Sequence, residues 1–222
     1  MSREPLKDVV RQHLAAGELE AIADLTLERR KTLGTLLAMT FDPDPEVVWR
    51  AIEAQGMAAE ALSKTSPRFV KEHMRKLLWL ITEESGAVFW RSPECMAECA
   101  ARMPRLMKEH VPIAFHLIET LEEEDLEHFR PGALWAVGRL FGVAPEYLPD
   151  VLPLLVSALE DARSQSRGMA VWCLHTVGEG ARLKDHPHLL EDQGRVELYQ
   201  DRSLEEITVA ELTRRCIDAA AD

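Results

Sequence analysis

The centre of the chain concentrates carboxylates that could bind a cation or a small substrate. Glu94 and Glu98 are four residues apart, so a helix would place both on one face, one turn from each other. Glu84 lies in the preceding acidic stretch and could converge on them. Hard divalent ions such as Mg²⁺ and Mn²⁺ prefer oxygen ligands, so three carboxylates would suit them. The alternative is structural pairing with nearby arginines, namely Arg91, Arg102 and Arg139. No histidine is regularly spaced with these acids, and the sequence therefore favours pairing and predicts no metal or other cofactor.

Sulfur and imidazole ligands form two smaller constellations. Cys95 and Cys99 would share a helix face, but a closed zinc site needs two further ligands, usually at short spacing. Buried free cysteines are common small core residues, so we expect core packing. His186 and His188 flank a proline and could bind a metal opportunistically, although a solvated loop is the favoured interpretation. No nucleophile elbow, phosphate loop or dinucleotide fingerprint is present, which disfavours the commonest enzyme classes.

Four arginines recur along the chain at intervals close to 40 residues. They are Arg50, Arg91, Arg130 and Arg167. An apolar run and an acidic turn precede each arginine, and an apolar run rich in small residues follows it. A period of about 40 residues with a helix–turn–helix pattern is typical of HEAT-type α-solenoids. We therefore expect an all-α fold, a short HEAT-like α-α superhelix of about four to five helical pairs.

The repeated arginines are predicted to have a structural role. An acidic residue stands six positions before three of them, giving the pairs Asp44/Arg50, Glu124/Arg130 and Asp161/Arg167. In the block of Arg91, serine occupies that position. In HEAT pairs such an acid and arginine commonly form a ladder between adjacent repeats, and a guanidinium can bind two acceptors at once. Trp135 and Trp172 occupy equivalent positions, five residues after a repeat arginine, and are predicted to pack together.

The end of the chain departs from the repeat pattern. We expect a repeat domain over 1–180 and a capping tail over 181–222, since a solenoid needs a polar-faced end to cover its last apolar layer. Within the tail, 185–188 and 192–194 lack a helical period and are predicted to be loop. A β-hairpin is predicted over 196–207 and a helix over 209–220, the helix beginning at a capping-box pattern.

Charge and hydropathy restrict the partners. The net charge of −12 disfavours a general affinity for nucleic acid, which depends on lysines and arginines neutralising phosphates. The nucleic-acid alternative would need a basic stripe of Arg102, Arg105, Lys108 and Arg139. We expect no membrane span, because no stretch reaches about 18 apolar residues. The N-terminus lacks the pattern of a secretory signal, so a cytoplasmic location with reduced thiols is the expectation.

One segment supports a resemblance to a known family. Residues 84–98 follow the pattern Glu-Ser-Gly-x-x-x-Trp-x-x-Pro-Glu-x-x-x-Glu, and 134–140 and 168–172 look like the repeats that come after it. The pattern resembles a group of small HEAT-repeat, armadillo-like proteins from anaerobic bacteria and archaea, over about residues 30–180. The resemblance implies an α-solenoid and no particular activity. Ala87 stands where a second glycine is more usual in that group.

Together these patterns predict a non-enzymatic protein–protein interaction module that uses the concave face of the solenoid. Its candidate contacts are Glu84, Trp90, Glu94, Glu98, Trp135 and Arg139. Trp90 would be an exposed aromatic contact for the partner, and the acidic surface would suit a basic partner. The alternative is an enzyme or accessory factor that binds a small molecule or divalent metal at Glu84, Glu94 and Glu98.

Overall fold

The computed structural model describes residues 5–82, 91–113, 115–116 and 129–220. The α-helices are α1 (Leu6–Ala16), α2 (Leu19–Glu28), α3 (Thr32–Met39), α4 (Pro45–Ser63), α5 (Pro67–Thr82), α6 (Ser92–Arg102), α7 (Pro104–Met107), α8 (Arg130–Leu140), α9 (Leu148–Ser157), α10 (Ser164–Thr176) and α11 (Val209–Ala219). Residues 111–113 and 115–116 are also helical. A two-stranded hairpin, β1 (Arg195–Gln200) and β2 (Ser203–Thr208), precedes α11. The prediction of an all-α fold with a hairpin-plus-helix tail is confirmed.

Short 3₁₀ helices complete the described structure. They are Pro145–Tyr147, Ala158–Glu160, Gly180–Asp185 and Pro187–Glu191. Gly180–Asp185 ends at the start of the predicted loop 185–188, and Pro187–Glu191 begins inside it. Their turns are too short to produce a helical period in the sequence, and buried Leu183 and Leu189 hold them in place.

The chain divides into two compact units. Unit 1 comprises Met1–His110 with Asp201–Leu204, and unit 2 comprises Val111–Gln200 with Glu205–Asp222. The boundary predicted between 180 and 181 lies inside unit 2, where α10 packs against both β1 and α11. The division into a repeat domain and a capping tail stays a prediction.

Helix α4 forms the centre of unit 1. Asp44 is its N-cap, and the carboxylate accepts a hydrogen bond of 3.0 Å from the amide of Glu46, while Pro45 takes the first helical position. An aspartate followed by proline is a typical start of a helix. Helix α4 packs against α2, α3 and α6. A Cβ at Gly56 would lie 3.0 Å from the carbonyl oxygen of Glu98, so glycine allows α4 and α6 to approach closely.

The stretch from 18 to 39, whose leucine spacing predicts helix throughout, forms two helices, α2 and α3. The backbone leaves the helical region at Arg29, with φ −136° and ψ 86°. The hydroxyl of Thr32 then donates a hydrogen bond of 2.7 Å to the carbonyl of Arg29 at the start of α3. The leucine spacing is compatible with helix on both sides of the break, so it does not reveal where the first helix ends.

Tight packing of α8 on α10 organises unit 2. The rings of Trp135 and Trp172 stack with centroids 6.3 Å apart and planes 8° from parallel, in the pairing that their equivalent repeat positions suggested. A Cβ at Gly138 would lie 2.5 Å from the ring of Trp172. Glycine is therefore required for this helix contact.

The hairpin has a tight turn and leads into an amphipathic helix. Asp201 and Arg202, between β1 and β2, have φ of 50° and 63°, the left-handed pair of a two-residue hairpin turn. The hydroxyl of Thr208 accepts a hydrogen bond of 3.1 Å from the amide of Glu211 and caps α11. Among the described residues, no helix combines the length and apolar character needed to cross a bilayer.

Candidate functional site

The two central carboxylates that the structure describes are buried on α6. Glu94 is 1% exposed and Glu98 is 3% exposed. Arg91 donates a hydrogen bond of 2.8 Å from Nη1 to Oε1 of Glu94, and Arg102 donates one of 3.3 Å from Nε to Oε2 of Glu98. Each acid thus has a cationic partner on its own helix or at its N-cap. This is the arrangement that the structural alternative predicted.

Arg102 lies close to three carboxylates. Besides Glu98, its guanidinium lies 3.6 Å from the carboxylate of Glu53 and 3.8 Å from that of Glu60. One cation therefore faces three carboxylates from α4 and α6. An arginine held in this way is poorly placed to neutralise a phosphate, and the nucleic-acid alternative would need it to do so. We call Arg91, Glu94, Glu98 and Arg102 the α6 arginine–carboxylate cluster.

The other predicted contact residues have different surroundings. Glu84 and Trp90 lie outside the described residues. Trp135 is buried against Trp172 on the inner side of α8. Arg139 lies on α8 and is half-buried. Of the six residues, the structure places Glu94 and Glu98 side by side and gives both an arginine partner.

In unit 2 the repeat arginines bind acids that follow them in sequence. The guanidinium of Arg130 pairs with the carboxylate of Asp161, an acid of the next predicted repeat. Arg167 donates from Nε to the carboxylate of Asp192 at 2.7 Å and from Nη1 to the carbonyl of Asp161 at 2.7 Å. Glu124, the predicted partner of Arg130, lies outside the described residues. The described contacts are structural and connect successive segments.

In unit 1, Arg50 does not take Asp44 as its partner. Its Nη2 donates to Glu46 at 2.7 Å, and its Nη1 donates to the backbone carbonyls of Leu14 and Ala15. The carboxylate of Asp44 caps α4 instead. Side chains four residues apart on a helix lie close together, as those of Glu46 and Arg50 do. The side chain of an N-cap residue such as Asp44 instead faces the end of the helix. Arg91 also lies over the ring of Trp49, 4.9 Å from its centroid.

All four cysteines are buried free thiols. Burial raises the pKa of the Cys173 thiol to about 12 and that of Cys216 to about 11. Burial also raises the pKa of Cys95 and of Cys99, each of which is next to a glutamate. Thiols held in this state are poor metal ligands and poor nucleophiles, because both roles need the thiolate.

A groove between α3 and α5 is an accessible feature that the sequence did not predict. It encloses about 360 Å³, within the usual size range of binding pockets. Its lining residues are Arg30, Lys31, Leu33, Gly34, Phe69, Glu72, His73 and Lys76. Phe69 is 39% exposed, and the guanidinium of Arg30 lies over its ring at 5.8 Å from the centroid. We call this feature the α3–α5 groove.

His73 connects the groove to the core. Its imidazole is hydrogen-bonded to the side-chain amide of Gln55 on α4. Burial, together with the charge of Lys76, lowers the pKa of His73 to about 4. The ring is therefore neutral at pH 7, and the positive charge of the groove comes from Arg30, Lys31 and Lys76.

A sequence signal for the groove exists but is weak. Phe69, Glu72 and Lys76 are spaced by three and four residues, which places them along one face of α5. Val70, Met74 and Leu77 form the buried face of the same helix. A face that mixes one aromatic with charges is a common solvent-exposed face, so the pattern alone does not indicate a site. The contribution of α3 comes from tertiary packing.

Comparison with known families gives one result. Residues 127–176 match the HEAT-like repeat. That match covers the whole of α8, α9 and α10, and it supports the HEAT-like assignment of the all-α fold. No curated protein matches the chain. The resemblance to the anaerobic bacterial and archaeal group stays a prediction.

Proposed function

We propose that this chain is a non-catalytic protein-binding module, and that its α3–α5 groove receives an acidic segment of a partner protein. Stacked helical repeats commonly provide extended binding surfaces. The observation that supports the location is the lining of the groove, in which an exposed aromatic ring lies among three cationic side chains.

The charge of the groove differs from that of the whole chain. The net charge of −12 suggested a basic partner, but the lining contains Arg30, Lys31 and Lys76 against the single carboxylate of Glu72. Glu72 itself lies 3.7 Å from Arg68. At physiological ionic strength, charges more than about 8 Å away are largely screened. A segment seated in the groove therefore interacts mainly with these nearby cations, and an acidic segment fits them.

Apolar side chains add a second element of recognition. Phe69 contributes its exposed face inside the groove, and Trp79, farther along the same helix, is 59% exposed. The two residues are ten positions apart, about 15 Å along a helix axis. Aromatic residues are enriched among those that dominate binding energy at protein interfaces. The segment we propose thus combines carboxylates with apolar residues.

The concave-face surface predicted from sequence is a second location for the same function. Its described members Glu94, Glu98 and Trp135 are buried, which favours the groove over that surface. The enzyme alternative at Glu84, Glu94 and Glu98 receives no support from the described residues, because both described carboxylates have arginine partners.

A peptide titration tests the proposal. Two fluorescent peptides of equal length would be used, one of glutamate and leucine and one with lysine in place of glutamate. Fluorescence anisotropy would be compared for the wild type, for Lys31→Glu/Lys76→Glu and for Lys7→Glu/Lys108→Glu. The last variant makes the same change in net charge at exposed positions outside the groove lining.

The proposal predicts that the wild type and the control variant prefer the glutamate peptide. The groove variant should bind it about tenfold more weakly, since two favourable charge contacts become repulsive. Phe69→Ala should weaken binding without changing its dependence on salt. Equal affinity of the wild type and the groove variant, or a preference of the wild type for the lysine peptide, would contradict the proposal.

A further inference from the structure

Two histidines and a glutamate converge at the surface of unit 2. Nδ1 of His186 lies 3.3 Å from Oε1 of Glu160, and Nε2 of His188 lies 3.2 Å from the same oxygen. One potential ligand atom from each residue lies within 4.8 Å of the other two. We propose that Glu160, His186 and His188 bind a divalent transition-metal ion of the Zn²⁺ class. We call them the His₂Glu site.

The separations match those of ligands around one ion. Zinc binds imidazole nitrogen and carboxylate oxygen at about 2.0–2.2 Å, so two ligands of a tetrahedral site lie about 3.4 Å apart. The two nitrogen–oxygen separations, 3.3 and 3.2 Å, are close to that edge. An ion could be accommodated with small rotations of the three side chains.

The backbone holds the three residues in place. His186 and His188 flank Pro187, whose ring fixes φ near −65°, and Leu183 and Leu189 on either side are fully buried. The amide of His186 donates to the carbonyl of Leu183 at 3.1 Å, and the amide of Leu189 donates to the carbonyl of His186 at 3.1 Å. The His-Pro-His segment is therefore pre-organised.

Glu160 is positioned independently of the histidines. It ends the 3₁₀ helix Ala158–Glu160, directly after the fully buried Leu159. The backbone thus brings the carboxylate to the histidines from a separate segment. The sequence indicates the histidines as possible ligands but not Glu160, because 26 positions separate it from His186 and no pattern connects them.

The ligand set selects the class of ion. Imidazole suits zinc, copper, nickel and iron, whereas Mg²⁺ and Ca²⁺ prefer all-oxygen sites. The carboxylate of Glu160 is 62% exposed and the ring of His188 is 49% exposed, which leaves an entry path for the ion. Three protein ligands also leave one tetrahedral position for water or for a ligand from a partner. The four buried cysteines do not compete for the ion.

An ion at this site would join two segments of unit 2. Glu160 lies in the predicted repeat domain, and both histidines lie in the predicted capping tail. A ligand that binds only the folded state stabilises that state by mass action. Zinc should therefore raise the Tm of the protein in proportion to the logarithm of its free concentration once the site is saturated.

Zinc titration of the metal-free full-length protein tests this inference. Affinity would be measured by competition with a chromophoric zinc chelator, and coordination by the visible absorption of Co²⁺. The variants are Glu160→Gln, His186→Ala and His188→Ala. His13→Ala is the matched control, since His13 is also hydrogen-bonded to a glutamate, Glu18, at 2.7 Å but belongs to no group of three metal-ligating side chains identified within the described ranges.

The expected result is one ion per chain in the wild type and in His13→Ala. Each of the three site variants should bind it at least about tenfold more weakly, since each loses one ligand. Co²⁺ should give the intense absorption of a four-coordinate ion in the wild type, and zinc should raise its Tm by roughly 5 °C or more. Equal zinc affinity of the wild type and the site variants, or a weak six-coordinate cobalt spectrum, would overturn the proposal. So would a wild type that takes up no zinc.

Discussion

The α6 arginine–carboxylate cluster and the α3–α5 groove place charged side chains in opposite situations. In the cluster, Glu94 and Glu98 are almost inaccessible and each has an arginine partner. In the groove, Lys31 and Lys76 line an open cavity beside the exposed ring of Phe69. Charges in the first region stabilise the fold, whereas those in the second can meet another molecule.

The comparison shows that residue type does not reveal accessibility. Three carboxylates near a glycine-containing loop suggested a cation site, yet the two described ones are neutralised within unit 1. Of the basic residues of the groove, Lys76 belongs to the polar face of α5, and Arg30 and Lys31 lie in the turn before α3. Variants that separate effects on stability from effects on binding test whether the two regions differ in this way.

Removing the cation that pairs with Glu98 in the α6 arginine–carboxylate cluster should have the largest effect. Arg102→Met keeps an apolar stem of similar length but leaves the buried Glu98 without its 3.3 Å partner. Breaking a buried pair from one side costs about 3–5 kcal/mol, and because Arg102 is partly exposed we expect about 3 kcal/mol. The free energy of unfolding, measured by urea denaturation, checks this value.

Arg215→Met provides the control for that prediction. Arg215 pairs with Glu205 and Glu211 on the exposed face of the tail, and surface pairs contribute about 0–1 kcal/mol. Adding Glu98→Gln to Arg102→Met should recover part of the loss, because the side chain that lost the 3.3 Å ion pair is then neutral. If Arg102→Met were no more destabilising than Arg215→Met, the cluster would not have the structural role that distinguishes it from the groove.

His73, which borders the groove and contacts α4, should make stability depend on pH. Its pKa is about 4 in the folded protein, against 6.5 when unperturbed, so the unfolded state binds the proton more tightly. Its contribution is complete above pH 6.5 and is lost as the pH falls through 6.5 toward 4. The full difference corresponds to about 3 kcal/mol.

Denaturant unfolding of the wild type and His73→Gln across this pH range isolates that contribution. The difference in unfolding free energy between the two proteins should change by up to about 3 kcal/mol between pH 7 and pH 4, with the wild type losing more stability on acidification. Parallel pH profiles would mean that His73 titrates as an exposed histidine and that the groove does not reach the core at this point.

Two glycine substitutions should give the smallest changes in stability. They compare the packed contact between α8 and α10 with the open wall of the α3–α5 groove. Gly138→Ala places a methyl group 2.5 Å from the ring of Trp172, and overpacking of this kind costs about 1–3 kcal/mol. Gly34→Ala, on the wall of the groove, meets nothing within 4 Å. In a helix interior it should stabilise by about 0.5–1 kcal/mol. Thermal unfolding measures both changes, and shifts of the same sign would contradict the assigned packing.

Local sequence patterns predicted the elements better than the surfaces. The signals at Asp44-Pro45 and at Thr208 each depend on a few neighbouring residues, and both helices begin where these signals place them. The match of residues 127–176 to the HEAT-like repeat agrees with the period of the arginines. The break at Arg29 was not apparent, since the residues around it are compatible with helix.

The sites depend on tertiary contacts that no local pattern specifies. The His₂Glu site combines residues from two separate segments, and the α3–α5 groove combines two helices. Asp161 illustrates the same limit, since it was paired with Arg167 by spacing and its carboxylate binds Arg130. Spacing predicts which residues share a helix face, but it does not predict which neighbouring element covers that face.

Site-specific photo-cross-linking in the native organism would show whether the α3–α5 groove receives an acidic segment of a partner protein. A photoreactive amino acid would replace Lys31 in the groove and, as the control, the exposed Lys108. Mass spectrometry would then identify the cross-linked segments. We expect position 31 to capture a segment rich in carboxylates and apolar residues, position 108 not to capture it, and Lys76→Glu to abolish the capture. Capture of a basic segment from position 31, or the same products from both positions, would contradict this expectation.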